Sequence, residues 1–161
     1  MSQQKPAELQ RIVVFIVIIM VSWLVYWLLK AYFLKQWMIE DLLIIFLCII
    51  LILMFYKLRG MITFAVSLLV FTEFAVLGIF FSIYGLTPLF SEISSKKIDS
   101  VTLAIVVAPH LVNLLTGVLS TSIVFILLTS EDLNSYLGTE AIFPRRSEKR
   151  LKRARTKARK P

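Results

Sequence analysis

The chain has 161 residues, 58% of them hydrophobic, and its mean hydropathy is +0.84. A soluble domain contains roughly 45–50% apolar residues, and one of this size leaves much of its surface in water. The net charge of +8 is uneven, because residues 145–161 carry +9 and the rest of the chain carries −1. These values exclude a soluble globular domain and indicate a membrane protein with a basic C-terminal tail.

Four apolar runs approach the length of about 20 residues that a helix needs to cross a bilayer. They predict spans at about 12–30, 41–58, 61–86 and 101–128. The first run is interpreted as a retained span and not as a cleavable signal peptide, because bulky residues follow it and no small-residue cleavage motif is present.

The distribution of Lys and Arg predicts the orientation of these spans. Fourteen basic residues lie on the side that holds both ends of the chain, and four lie on the other side. The positive-inside rule therefore places both termini in the cytoplasm, at the bacterial inner membrane or an equivalent cellular membrane. We expect an all-α fold, a four-transmembrane-helix bundle over 12–130, with a short N-terminal segment at 1–11 and a juxtamembrane segment and tail at 131–161.

The connections between the spans carry their own signals. Tyrosine and tryptophan residues cluster near the end of span one, which is typical of an aromatic belt at the headgroups. The tight turn Lys57-Leu58-Arg59-Gly60 predicts that spans two and three form an antiparallel hairpin. Thr87-Pro88 predicts the end of span three, since proline disfavours helix at and before its own position.

Polar residues inside the predicted membrane region form one candidate site. Glu73 lies near the middle of span three, and span four contains Pro109, His110 and Asn113. Ionisable groups at this depth usually face the protein interior with a partner. Measured from the predicted outer ends of the two spans, Glu73 and Asn113 lie at similar depths, and His110 lies one turn away.

Two interpretations of this polar cluster compete. In the first, Glu73, His110 and Asn113 form a proton or ion relay, or a small ligand site. In the second, they form an interhelical hydrogen-bond clamp that fixes how spans three and four pack. A separate face of span three, with Gly78, Ser82 and Gly85, lies roughly 140° from Glu73 and predicts a second packing surface.

Catalytic chemistry is not predicted. The sequence contains no nucleophile elbow, phosphate-binding glycine loop or metal-ligand cluster, and its single cysteine, Cys48, excludes an intrachain disulfide. We therefore expect a protein that is not an enzyme and that has no catalytic residue, metal or cofactor.

After span four, Ser130 predicts the N-cap of a short helix that ends at Gly138. The tail beyond it is expected to be disordered in isolation and to bind anionic lipid, nucleic acid or an acidic protein surface, unless it only enforces topology. Its electrostatic binding residues are Arg145, Arg146, Lys149, Arg150, Lys152, Arg153, Arg155, Lys157, Arg159 and Lys160.

Together these features favour a non-catalytic membrane protein, an accessory or scaffold subunit of a larger complex. Its expected partners are membrane lipids and either other membrane protein subunits or further copies of itself. The alternative is a small oligomeric channel or proton-coupled transporter that uses Glu73 and His110. A pore-forming or immunity-type membrane factor is a third hypothesis.

Overall fold

The computed structural model of the protein describes residues 6–35, 39–58, 60–93 and 100–139, and every regular element in these ranges is an α-helix. The predicted all-α class is therefore confirmed. The ten basic residues predicted to bind partners, within 145–161, lie outside the described residues. The helices are α1 (Ala7–Leu34), α2 (Ile39–Lys57), α3 (Met61–Ile93), α4 (Ser100–Thr129) and α5 (Glu131–Leu137).

Three of the described helices are long and apolar enough to cross a membrane. The spanning parts are Ala7–Phe33 in α1, Met61–Thr87 in α3 and Val106–Thr129 in α4. Helix α2 is shorter, with an apolar part at Leu42–Lys57. Its 19 residues reach about 28 Å, slightly less than the roughly 30 Å of a bilayer core. The chain is thus a helical membrane protein in which α2 differs from the other long helices in length.

The four long helices lie in the order α2, α1, α4, α3. Helix α1 packs against both α2 and α4, while α3 packs mainly against α4. Helices α1 and α4 are antiparallel, because Trp23 reaches Thr116 near their middles and Glu8 shares a cavity with Thr129 at one end. The start of α1 and the end of α4 therefore lie at the same end of the bundle.

Helix α2 packs mainly on one neighbour. It buries Cys48, Leu51 and Phe55, whose spacing of three and four residues forms one stripe along the helix. Its main contacts are with α1, and it makes few contacts with α3. The predicted hairpin of spans two and three is therefore a short connection through Gly60 and not a packed pair.

Helix α5 closes one end of the bundle. The Ser130 side chain accepts a hydrogen bond from the backbone N–H of Leu133 at 3.2 Å, and Gly138 ends the helix with a φ of 73°. Both caps agree with the sequence prediction. Leu133 and Leu137 are buried, and α5 contacts α1 and α3. It therefore lies where α1 and α3 begin and α4 ends.

Candidate functional site

Glycines bring α3 and α4 into backbone contact. A Cβ atom added to Gly78 would lie 2.6 Å from the carbonyl oxygen of Asn113 and 2.9 Å from the nitrogen of Gly117. A Cβ atom added to Gly117 would lie 2.9 Å from the nitrogen of Ile79. Small residues permit this approach because they add no side chain between the two backbones. The face predicted from small residues on α3 is thus the face that packs against α4.

His110 occupies the space that Gly85 leaves open. A Cβ atom added to Gly85 would overlap the His110 imidazole. One turn away, the Ser82 hydroxyl lies 2.6 Å from the carbonyl oxygen of Gly78 and 2.9 Å from that of His110, and it donates its hydrogen to this pair of acceptors. The Nδ1 atom of His110 is buried with no hydrogen-bond partner among the described residues. Packing against α3, and not a hydrogen bond at Nδ1, therefore holds the ring.

Pro109 lies inside α4, directly before His110. It has no backbone N–H, so the carbonyl of Ile105 loses its usual helical donor. Both Pro109 and His110 are half-buried. The break in backbone hydrogen bonding thus lies next to the segment of α4 where the histidine meets α3.

Glu73 does not join this group, which corrects the predicted contact with Asn113. Gly85 faces His110 and Gly78 faces Gly117, so each step along α3 matches one step along α4 in the opposite direction. By this register Glu73 is level with Ser122, which is nine residues or roughly 14 Å from Asn113 along the axis.

The predicted contact between Glu73 and Asn113 was wrong because the end of α3 was placed too early in the sequence. The sequence prediction measured depth from Leu86, but α3 continues through Pro88 to Ile93. Glu73 also lies on another side of the helix, roughly 120–180° from Gly78, Ser82 and Gly85, and its side chain is exposed. Direct proton transfer between Glu73 and His110 of one chain does not fit this separation.

The exposed face of α3 that carries Glu73 forms an open groove of about 770 Å³. The described residues that line it all come from α3, and apart from Glu73 and Thr72 they are apolar. We call this surface the Glu73 groove. Its lining residues are Met61, Phe64, Ala65, Leu68, Leu69, Thr72, Glu73, Val76 and Leu77.

A polar link between α1 and α4 was missed by the sequence prediction. The Trp23 indole N–H donates to the Thr116 hydroxyl at 3.0 Å, and that hydroxyl donates to the Val112 carbonyl at 2.8 Å. Trp23 is buried, whereas the sequence placed it in an aromatic belt at the membrane surface. A signal was present in the stripe of Leu9, Ile12, Ile16, Ile19 and Trp23, whose spacing marks one buried face of α1.

The end of the bundle near α5 is polar. Glu8 and Arg11 of α1 and Glu131 and Asp132 of α5 line a cavity of about 400 Å³. Among the described residues, no group of three His, Cys, Asp or Glu side chains is placed to hold a metal ion. The charged groups of this cavity lie at helix ends, where they reach water.

Comparison with protein-family models, with curated proteins and with solved structures finds no match to this chain.

Proposed function

We propose that the protein is a non-catalytic membrane protein that serves as an accessory or scaffold subunit of a larger membrane complex. The observation that carries this proposal is the exposure of Glu73 in the middle of an apolar span. Ionisable residues at such depth are costly in lipid and normally face other protein. Because α1, α2 and α4 leave this side of α3 open, another protein is the natural cover for it.

The proposal includes four spans with both termini in the cytoplasm. The antiparallel arrangement of α1 and α4 supports an even number of crossings, since the start of α1 and the end of α4 lie at one end. Helix α2 would supply the remaining crossing, its roughly 28 Å being met by local thinning of the bilayer. Fusion of green fluorescent protein or alkaline phosphatase to the C-terminus tests this. A fluorescent first fusion and an inactive second are expected, and the reverse pattern would reject the orientation.

The basic tail is proposed to dock on an anionic lipid surface, a nucleic acid or an acidic protein. Its position in the sequence directly after α5 would hold it near the cytoplasmic end of the bundle. A chain truncated after Phe143 is expected to insert normally and to lose this binding, measured with anionic and neutral vesicles and with duplex DNA. An inverted or unstable truncated chain would instead mark the tail as an orientation signal only.

The subunit role is tested by purification from native membranes in a mild detergent. The chain is expected to elute with at least one other membrane protein in a fixed ratio. A clean monomer with no associated protein would reject the role. Growth arrest on expression alone would favour a pore-forming factor instead.

A further inference from the structure

The Glu73 groove is an unfilled helix-packing surface of the size that one transmembrane helix covers. It extends from Met61 to Leu77, or about 24 Å along α3. This face of α3 is uncovered because α2, the preceding helix in the sequence, packs mainly on α1. On the opposite side, α3 is already in backbone contact with α4. A further helix can therefore pack on α3 only at the Glu73 groove or beside it.

Glu73 defines the chemistry of the helix that fits there. It lies 12 residues from Met61 and 14 from Thr87, at the middle of the spanning part of α3. A carboxylate at this depth is stabilised by a cation or by strong hydrogen-bond donors, and Lys and Arg supply both. The apolar side chains around Glu73 match the apolar surface of a membrane helix.

A second copy of this chain cannot supply such a cation. The apolar runs 12–29, 42–56, 61–91 and 100–130 contain no Lys or Arg. Copies of one membrane protein share one orientation, so equal residues lie at equal depths. The His110 of a copy would be roughly 18 Å from the depth of Glu73, because the α3–α4 register places it level with Gly85. A symmetric contact through this groove would oppose two Glu73 side chains.

We infer that the Glu73 groove binds a transmembrane helix of a different protein, which carries a Lys or Arg near its middle that pairs with Glu73. This inference rests on the proposed subunit role and specifies the partner by its charge and depth. The pairing is electrostatically complementary, and the low dielectric of the membrane makes it specific.

The first test is photo-crosslinking in native membranes. A benzophenone amino acid replaces Leu77, which lies in the Glu73 groove, or Val118, which is similarly exposed on α4 and level with Leu77 in the α3–α4 register. The Leu77 position is expected to crosslink to a heterologous membrane protein with a basic residue in its spanning helix, and the Val118 position is not. A crosslinked homodimer, or equal crosslinking from Val118, would overturn the inference.

The second test changes the charge. Glu73→Gln and Glu73→Lys are each expected to reduce recovery of the crosslinked partner at least about tenfold, because one member of a desolvated charge pair is lost. Thr72→Val, a matched change in the same groove that keeps the carboxylate, is expected to leave recovery within about twofold. Since Glu73 is exposed within one chain, we expect these variants to fold, and the thermal midpoint of the purified chain checks this.

A third test exchanges the two charges between Glu73 and the basic residue of the partner. Glu73→Lys combined with an acidic replacement of the partner's basic residue is expected to restore recovery. If all Glu73 variants recover the partner as the natural chain does, the inference fails while the subunit role stands. If no partner is recovered with any variant, the subunit role fails and the inference with it.

Discussion

Two sides of α3 differ in how they are packed within the chain. The side with Gly78, Ser82 and Gly85 is closed, since backbone lies on backbone and the Ser82 hydroxyl bonds to a carbonyl of the neighbouring helix. The side with Glu73 is open and carries the only Asp, Glu, Lys, Arg or His side chain in the spanning part of α3. One side of the helix is thus packed within the chain, and the other is exposed. The comparison shows that the small residues of α3 serve the internal fold, whereas Glu73 lies on the surface for which we propose an external partner.

The largest expected effect of a single change is on the closed side, at Gly78. Gly78→Ile places a branched side chain where a single Cβ would lie 2.6 Å from the Asn113 carbonyl oxygen, so the helices must separate. Overpacking typically costs about 1–3 kcal/mol in the free energy of unfolding, and we expect the upper end of this range or more where the added side chain meets backbone. Thermal unfolding in detergent measures it. Ala65→Ile on the open side of the same helix is the matched control, with an expected change in the free energy of unfolding below about 0.5 kcal/mol. Equal losses of stability at both positions would contradict the conclusion that only the Gly78 side of α3 is closely packed.

A smaller effect is expected where His110 meets Gly85. Gly85→Leu should destabilise the chain by about 1–3 kcal/mol, because the new side chain collides with the imidazole. His110→Ala removes the ring, so the double variant should recover part of that loss. A double-mutant cycle is expected to give a coupling energy of about 0.5–3 kcal/mol. If the two changes in the free energy of unfolding are strictly additive, the packing of the His110 ring against Gly85 does not stabilise the contact between α3 and α4.

The smallest effect is expected at the link between α1 and α4, which extends the closed side beyond α3. Trp23→Phe removes the indole donor to Thr116 while it keeps an aromatic ring. Interhelical hydrogen bonds in membranes contribute about 0.6 kcal/mol on average. Trp23→Phe and Thr116→Val should each cost about this much beyond their packing effects, and the double variant should cost less than their sum. A loss from Trp23→Phe that is unchanged in the Thr116→Val background would show that ring packing alone matters at this position.

The sequence predicted helices well and the contacts between them less well. Apolar run length places α1, α3 and α4 within a few residues, except at the end of α3, where Pro88 was read as a stop. The helix passes through this position to Ile93. That single error shifted the inferred depth of Glu73 relative to His110 by about two turns of helix.

The orientation of each helix about its axis was harder to predict than its length. In lipid, an exposed Leu or Val has no cost, so the usual contrast between apolar buried and polar exposed faces is absent. Glycine and serine remained informative because they report close backbone approach, as Gly78 and Gly85 do. Glu73 was misleading, because its charge predicts a protein partner without indicating whether that partner is in the same chain.

The hydrogen bond between Trp23 and Thr116 joins residues 93 positions apart in sequence. At a synthesis rate of roughly 5–20 residues per second, α1 exists for roughly 5–20 s before α4 is made. During that interval the buried stripe of α1 faces either lipid, α2 or the insertion machinery. The assembly of this bundle therefore waits for its last long helix, which must insert between two helices already present.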